Sequence, residues 1–451
     1  MSTNGGAGLL ELVARGKKDV FFTGEPKISF FHSVYARASP WLRETRYILP
    51  RNDANFGTYV DFVLDPVADL MRDIHLLVDL PTWLPADIAA LNGNSLVTDL
   101  SGNTYGYTNN IGYYLIEKVQ LFQHQAMIYE DFGEAMLLRR ISKSRRGQME
   151  LHEKVSGGHN GSALAIQRAA TPKQLTIRLS LPFDSGERVT GIPVGAIQSF
   201  SLRLRIFLRS FKSLVECSDN RIRPSPFDIS MLIKTGPQAL PRQFRTKNIS
   251  DLGKPTIQLR VQHVYVDGIS QKILKDTKWT IPYLKAQLNE FTLEETIWKS
   301  PSQIRKELEI YGSSQRLRIL FQSEANILAG KLSDYSPISG KIWFTSCGLR
   351  VHGFDRVGVW ESDVFEKVTS YSHDRGQYVP NVFLLDSGCE DESVPAGTLN
   401  FAAIDKPELQ VMLVSQPADV RSGSKKSFMR VYADLWDVLI LENQWIKSPY
   451  S

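Results

Sequence analysis

Apolar and polar positions alternate with a period of two along most of this chain. Residues 59–64 (YVDFVL), 73–80 (DIHLLVDL), 176–181 (TIRLSL) and 201–209 (SLRLRIFLR) show it most cleanly, and 257–266, 316–321, 341–344 and 428–441 continue it. Residues 28–34 (ISFFHSV) are rich in strand formers, and 228–233 add a further short strand. Alternation of this kind marks antiparallel strands with one face covered. Helical periodicity is scarce: it predicts a short turn near residues 9–13, a helix over 134–142 after the strand pattern of 116–129, and a helix over 302–309 with Ser302 as its N-cap. Many short strands without interleaved helices predict β-sandwiches rather than an α/β sheet.

Two polar, turn-rich stretches, residues 85–111 and 145–172, interrupt the strands as long insertions. Loops of that length on a rigid sandwich serve as an outer or contact surface. A weak internal repeat relates KVQLFQHQAMIYEDFGE, from Lys118, to KIWFTSCGLRVHGFDR, from Lys341, an offset of 341 − 118 = 223 residues. It implies a duplicated architecture, the alternative being that any two amphipathic strands look alike. Proline, glycine and charge concentrate over 218–256, where the halves are expected to part.

At 451 residues the chain has room for two domains, and its 42% hydrophobic and 10% aromatic content suffices for their cores. A net charge of +5 is too small to demand an anionic partner. Cys217, Cys347 and Cys389 are few and widely spaced, which predicts neither a disulfide framework nor a metal knuckle and suits a reducing compartment. The start MSTNGGAGLLELVARGKK lacks a secretory pattern, and no run of about 18 apolar residues predicts a transmembrane helix.

Candidate chemistry is thin. His32, His75, His124, His152, His159, His263, His352 and His373 form no HxxxH or HExxH spacing, and there is no GxSxG or GxxxxGK[ST]. Gly157-Gly158-His159-Asn160-Gly161 reads as a loop tip rather than a phosphate cradle, lacking a preceding strand and a following lysine. Asp355-Arg356 reads as an ion pair fixing a turn. The run Arg139-Arg140-Ile141-Ser142-Lys143-Ser144-Arg145-Arg146 is either a contact for anionic headgroups or acidic subunits, or a solvated helix end. Arg203, Arg205, Arg209 and Lys212 line either a subunit seam or an exposed sheet face. Two sequons, at Asn160 and Asn248, are expected to be unused without a secretory signal.

Four blocks carry a family resemblance. Leu12-Val13-Ala14-Arg15-Gly16, Thr23-Gly24-Glu25-Pro26 and Phe30-Phe31-His32-Ser33-Val34-Tyr35 form the first. Ile116-Glu117-Lys118-Val119 with Glu130-Asp131-Phe132-Gly133-Glu134 form the second. Leu179-Ser180-Leu181-Pro182-Phe183 with Ile192-Pro193-Val194 are the third. The fourth runs from Gly353-Phe354-Asp355-Arg356 to Ala396-Gly397-Thr398-Leu399-Asn400-Phe401, followed by Ala402-Ala403 where Ser-Arg is usual. In this order they resemble the major capsid proteins of nucleocytoplasmic large DNA viruses, the double jelly-roll capsid family.

The resemblance implies an all-β fold of two consecutive eight-stranded antiparallel jelly-roll β-sandwiches with short helices and long surface loops. It implies an N-terminal inner-side segment over 1–25, a first jelly roll over 26–217, a linker region over 218–254 and a second jelly roll over 255–451. The implied role is structural, with no catalytic, cofactor-binding or metal-binding residue: a major capsid protein forming trimeric pseudo-hexagonal capsomers of an icosahedral shell. A minor capsid protein of the same fold, and a carbohydrate-binding β-sandwich protein, are the alternatives. Implied partners are the homotrimer, neighbouring capsomers, minor capsid and penton proteins and the inner viral membrane surface, without sequence-specific nucleic-acid binding. The implied location is the virion, after assembly in the host cytoplasm.

Overall fold

The computed structural model describes residues 40–89, 96–144, 153–158, 174–182, 191–197, 201–219, 223–236, 238–294, 297, 303–337, 342–369, 379–386, 397–415 and 426–448. The turn expected at 9–13 and the strand expected at 28–34 lie outside them. The chain divides into two compact units, residues 1–41 and 42–451.

Among the described residues, thirteen strands precede residue 267. They are β1 (Trp41–Ile48), β2 (Tyr59–Leu64), β3 (Leu70–Asp79), β4 (Leu96–Asp99), β5 (Tyr105–Tyr107), β6 (Ile116–Gln123), β7 (Ala126–Phe132), β8 (Leu175–Arg178), β9 (Leu202–Leu208), β10 (Val215–Cys217), β11 (Ser230–Lys234), β12 (Arg242–Arg245) and β13 (Thr256–Val266). Eight of them make two four-stranded sheets, β1-β13-β3-β8 and β2-β9-β6-β7. Counted in chain order among those eight, the sheets read 1-8-3-6 and 2-7-4-5.

Ten described strands follow: β14 (Trp279–Leu293), β15 (Gln303–Glu307), β16 (Ser313–Ser323), β17 (Phe344–Val351), β18 (Phe354–Glu361), β19 (Val382–Asp386), β20 (Leu399–Asn400), β21 (Glu408–Leu413), β22 (Ser427–Glu442) and β23 (Trp445–Lys447). Their two main sheets run β14-β22-β16-β19 and β15-β21-β17-β18, with β20 and β23 as short additions. Counted the same way these are again 1-8-3-6 and 2-7-4-5. The duplication is therefore real, and each half is a jelly roll whose first and last strands lie side by side.

The β6–β7 and β17–β18 hairpins locate the repeat. Each turns through two residues, His124-Gln125 and His352-Gly353, and both histidines adopt positive φ, 56° and 52°. A left-handed first turn residue matches the right-handed twist of the flanking strands, and Gly353, φ 79°, continues it without steric cost. The hairpins are thus related by 352 − 124 = 228 residues, five more than the sequence pattern gives.

Two expectations need correction. Residues 303–309 are not a helix, and Ser302, expected as its N-cap, lies outside the described residues. Gln303–Glu307 is a strand paired with β21, in which Gln303, Arg305 and Glu307 are exposed and Ile304 half-buried. The cross-strand partner, not local propensity, fixes it. The boundary at 255 also moves, because β13 hydrogen-bonds to β3 from Thr256↔Asp79 to Val264↔Leu70 and is the eighth strand of the first roll. The change of roll falls at the helix Gly268–Asp276, capped by Asp267.

Residues 218–254 likewise do more than link. β11 pairs with β12 and with β4, and β10 pairs with β5. The insertion before β6 and the one before β13 therefore fold together over a cluster in which Trp83 meets Tyr107 at 5.1 Å and Phe211 at 6.3 Å, with Phe211 in turn on Phe56 and Phe227. Much of the second insertion, from 159 to 172, lies outside the described residues.

Each roll has its own core. Leu202, Leu204, Ile206 and Leu208 of β9 point into the first beside Val119 and Leu121 of β6. Leu317, Ile319 and Phe321 of β16 and Met429, Val431 and Ala433 of β22 fill the second, around stacked Phe321 and Trp343.

Candidate assembly surfaces

The polar faces of β16 and β22 turn toward the first roll and are buried there. Arg316, Arg318, Leu320 and Gln322 alternate with the second-roll core residues, as do Arg430, Tyr432 and Asp434, and of these only Arg430 keeps partial exposure. Against them packs the helix Gly133–Lys143, whose Ala135 and Leu138 join Leu320, Tyr335, Val382 and Tyr432 in a small apolar cluster.

At the centre is Glu134. Its carboxylate accepts hydrogen bonds from the Tyr335 hydroxyl at 2.7 Å, from Arg430 Nη1 at 2.7 Å and from the Tyr432 hydroxyl at 2.5 Å. Tyr335 also meets the Tyr114 hydroxyl at 2.7 Å, and its carbonyl accepts from Trp343 Nε1 at 2.7 Å. Burial, and then the charge of Glu134, pushes the Tyr335 and Tyr432 phenols well above their ordinary range, so both stay protonated as donors.

A second knot lies one helical turn away. Arg139 pairs with Asp131 and lies 3.9 Å from Asp434, which also pairs with Arg318. The Tyr129 hydroxyl donates to Asp131 at 2.8 Å, and Arg318 Nη2 donates to Ser142 Oγ at 3.4 Å. Asp131, Glu134 and Asp434 thus face Arg139, Arg318 and Arg430, three charges of each sign. Charge balance is what lets these buried ions be tolerated, although Asp434 Oδ1, Arg139 Nε and Arg430 Nε are buried without a hydrogen-bond partner. At the far end of the seam Gln123 donates to the Gln444 carbonyl at 2.8 Å and accepts from Ile446 N at 2.7 Å. The two rolls are held as one block.

The remaining sequence candidates fall elsewhere. Asp355 pairs not with Arg356 but across the hairpin with Arg350, at 3.4 Å. Arg139 belongs to the seam, Arg140 is half-buried, and Arg145 and Arg146 lie outside the described residues. Arg205 grips Asp61 through two 2.8 Å bonds and lies over the Tyr59 ring, while Arg203 lies over Phe122. Those guanidiniums serve their own sheet. Asn248 of the second sequon is exposed, and Asn160 lies outside the described residues. Trp83 and Trp343 are core residues, and Cys217 and Cys347 are buried free thiols. Among the described residues no group of three His, Cys, Asp or Glu side chains gathers as a metal site would, and no helix is long and apolar enough to cross a membrane.

Sequence reasoning missed the seam, because buried arginines at alternate strand positions look like solvated ones. The one available signal was the helix GEAMLLRRISK, whose apolar residues at 135–138 and 141 leave it little polar face.

No protein-family model matches the chain. It is 28% identical over 218 residues to a probable capsid protein 4 of Acanthamoeba polyphaga mimivirus, which covers 47% of this chain and 38% of that protein. It is 33% identical over 107 residues to the major capsid protein of Chrysochromulina ericina virus, covering 24% and 18% respectively. The matched segments thus span well under half the length of these curated relatives. In structure the chain is similar to VP54 of PBCV-1, with a TM-score of 0.71 at 14% identity, covering 94% of this chain and all of the other. The sequence relatives are capsid proteins of large DNA viruses, and the shared fold is the double jelly roll.

Proposed function

We propose that this chain is a shell-building protein of a large DNA virus, a major capsid protein whose three copies form one pseudo-hexagonal capsomer. The observation that carries this reading is the pair of rolls with one strand order, locked by a buried, charge-balanced seam. Two similar lobes held as one block become six in a trimer, and six lobes tile a flat face as a hexagon does. Closed cyclic assembly is the usual outcome for such subunits. The chain's role is mechanical: its side chains hold lobes in place and meet neighbours.

On this reading the insertions that co-fold beside Trp83 crown the outer side of the capsomer. On the inner side of the shell, minor capsid proteins, penton proteins and the membrane surface are the partners. Neighbouring capsomers meet through smaller polar contacts, in virions assembled in the host cytoplasm. We place the first roll at residues 42–266 and the second at 279–447.

Size-exclusion chromatography with light scattering tests the reading. A stable species of three times 50.9 kDa is expected, held by interfaces of roughly 2,000–5,000 Å². A monodisperse monomer at all concentrations overturns it.

A further inference from the structure

The two-stranded ribbon of β5 and β10, part of the co-folded insertions, touches the second roll over a buried carboxyl. Its register sets Val215 opposite Tyr107 and Cys217 opposite Tyr105, and all four side chains are buried, all but Tyr105 almost fully. Successive strand residues point to opposite faces, so Glu216 turns away from that packed side. A two-stranded ribbon would leave the other face wet, yet Glu216 is only 4% exposed.

The cover comes from the second roll, as the turn that follows its short helix Glu324–Leu328. Gly330, at φ 76°, lies so close that a Cβ there would collide with the Val215 carbonyl and stand 3.0 Å from Glu216 Cα. The Leu332 amide donates to Thr108 Oγ1 at 3.4 Å, and its side chain joins the core of the first roll. The turn is itself fixed to the second roll. Gln322 Nε2 donates to the Lys331 and Leu332 carbonyls at 3.2 and 3.0 Å, and Asn326 Nδ2 to the Asp334 carbonyl at 3.2 Å. Two anchored surfaces therefore close over one carboxyl.

The groups around Glu216 come from both sides. The ribbon supplies the Asn109 amide and the Thr108 hydroxyl, both donating to the carboxyl, and the turn supplies Lys331 and Asp334, of opposite sign. Tyr105 and Cys217 titrate nearby but lie on the ribbon's other face, beside Asp99 and Asp219. Thr108 thus joins the two surfaces, accepting from the turn and donating to Glu216. Burial outweighs Lys331 and pushes the carboxyl up from 4.5 to about 7.

We propose that Glu216 is a proton-operated latch between the co-folded insertions and the second roll, closed while its carboxyl is neutral and released when it ionises. A neutral carboxyl suits a dry contact, whereas a carboxylate needs water, which enters when the ribbon lifts from the turn. Release gives one proton to solvent. The seam around Glu134 keeps the rolls joined meanwhile, so the opening is local. Between pH 6 and pH 8 the ratio of open to closed contact should rise about tenfold, given a carboxyl near 4.5 when open and near 7 when closed. The latch acts within one chain, whatever the oligomer that chain forms.

Hydrogen exchange on the full chain, read by mass spectrometry at pH 6 and pH 8 and corrected for the intrinsic pH dependence of exchange, tests it. Peptides covering β5, β10 and residues 329–335 should exchange about tenfold faster at pH 8, while β16 and β22 hold their rates. Glu216→Gln should keep the slow rate at both values. Lys331→Met, which removes the opposing cation, should carry the pH dependence further upward. No pH effect in the wild type, or one that persists in Glu216→Gln, overturns the latch. Acceleration of β16 and β22 in step overturns it too, since the whole fold would then be loosening. Should Glu216→Gln not fold, the Lys331→Met profile decides: an upward shift supports the latch and an unmoved profile overturns it.

Discussion

Replacing Glu134 by alanine should be the most damaging single side-chain truncation in the seam. The carboxylate is almost fully buried and accepts from Tyr335, Arg430 and Tyr432. Its loss leaves a largely buried guanidinium without its anion, a change that typically costs about 3–5 kcal/mol. Two phenol hydroxyls also lose their acceptor, at roughly 1–3 kcal/mol each if nothing replaces it. These terms overlap, since a relaxing side chain or an entering water compensates more than one of them, so about 5 kcal/mol is expected rather than the sum. Glu134→Gln keeps one acceptor and should cost about half as much. Pairing Glu134→Met with Arg430→Met should recover most of the loss, because removing both ions together removes the desolvation penalty as well. Urea unfolding followed by tryptophan fluorescence provides the assay, with Trp343, bonded to the Tyr335 carbonyl, reporting beside the site. Scanning calorimetry should show the single variant melting in two steps as the rolls uncouple. A loss below about 1 kcal/mol for Glu134→Ala, or a double variant worse than the single, would refute the network as drawn.

Burial pushes the Glu216 carboxyl up from 4.5 to about 7, opposed by the nearby charge of Lys331. The folded chain therefore binds this proton more tightly than the unfolded one. Its contribution is fully present below about pH 4.5 and is lost as pH rises through about 7, on the order of 3 kcal/mol in all. Glu216→Gln should flatten that part of the stability profile in urea titrations from pH 5 to 8. Gly330 has φ 76°, and a Cβ there would collide with the Val215 carbonyl. Gly330→Ala should cost about 3 kcal/mol or more, read as a lower denaturation midpoint and reduced soluble yield. Trp83→Ala should remove about 3–5 kcal/mol of packing. Hydrogen exchange should then accelerate in β4, β5, β10 and β11 while β16 and β22 keep their protection.

The alternating strands were legible because one face of each meets a dry core, and Leu202 through Leu208 show it directly. The duplication was legible too, although its offset read 223 rather than 228, since hydrophobic spacing cannot see the bulges in the two hairpins. Residues 302–309 read as a helix because Ile304 and Leu308 fit a helical spacing as well as a strand's, and only the pairing with β21 decides. The 255 boundary misled for a topological reason. A jelly roll's last strand returns to lie beside its first, so a strand late in the chain belongs to the early roll. The seam stayed hidden because arginines and aspartates at alternate strand positions are the ordinary signature of a wet face. Here a second roll makes that face dry.

That return of the last strand also sets a timetable. In the sheet β1-β13-β3-β8, β13 is the strand neighbour of β1 among the described residues. Between Ile48 and Thr256 lie 207 residues, which a ribosome needs roughly 10–40 s to add at about 5–20 residues per second. For that interval β1 is on the nascent chain without β13, its partner among the described strands. Arg43, Glu44 and Arg46, lying between Leu42 and Tyr47, then act as guards against premature pairing with a neighbouring nascent chain. Three charges on one short strand thus keep unfinished chains apart until β13 is made.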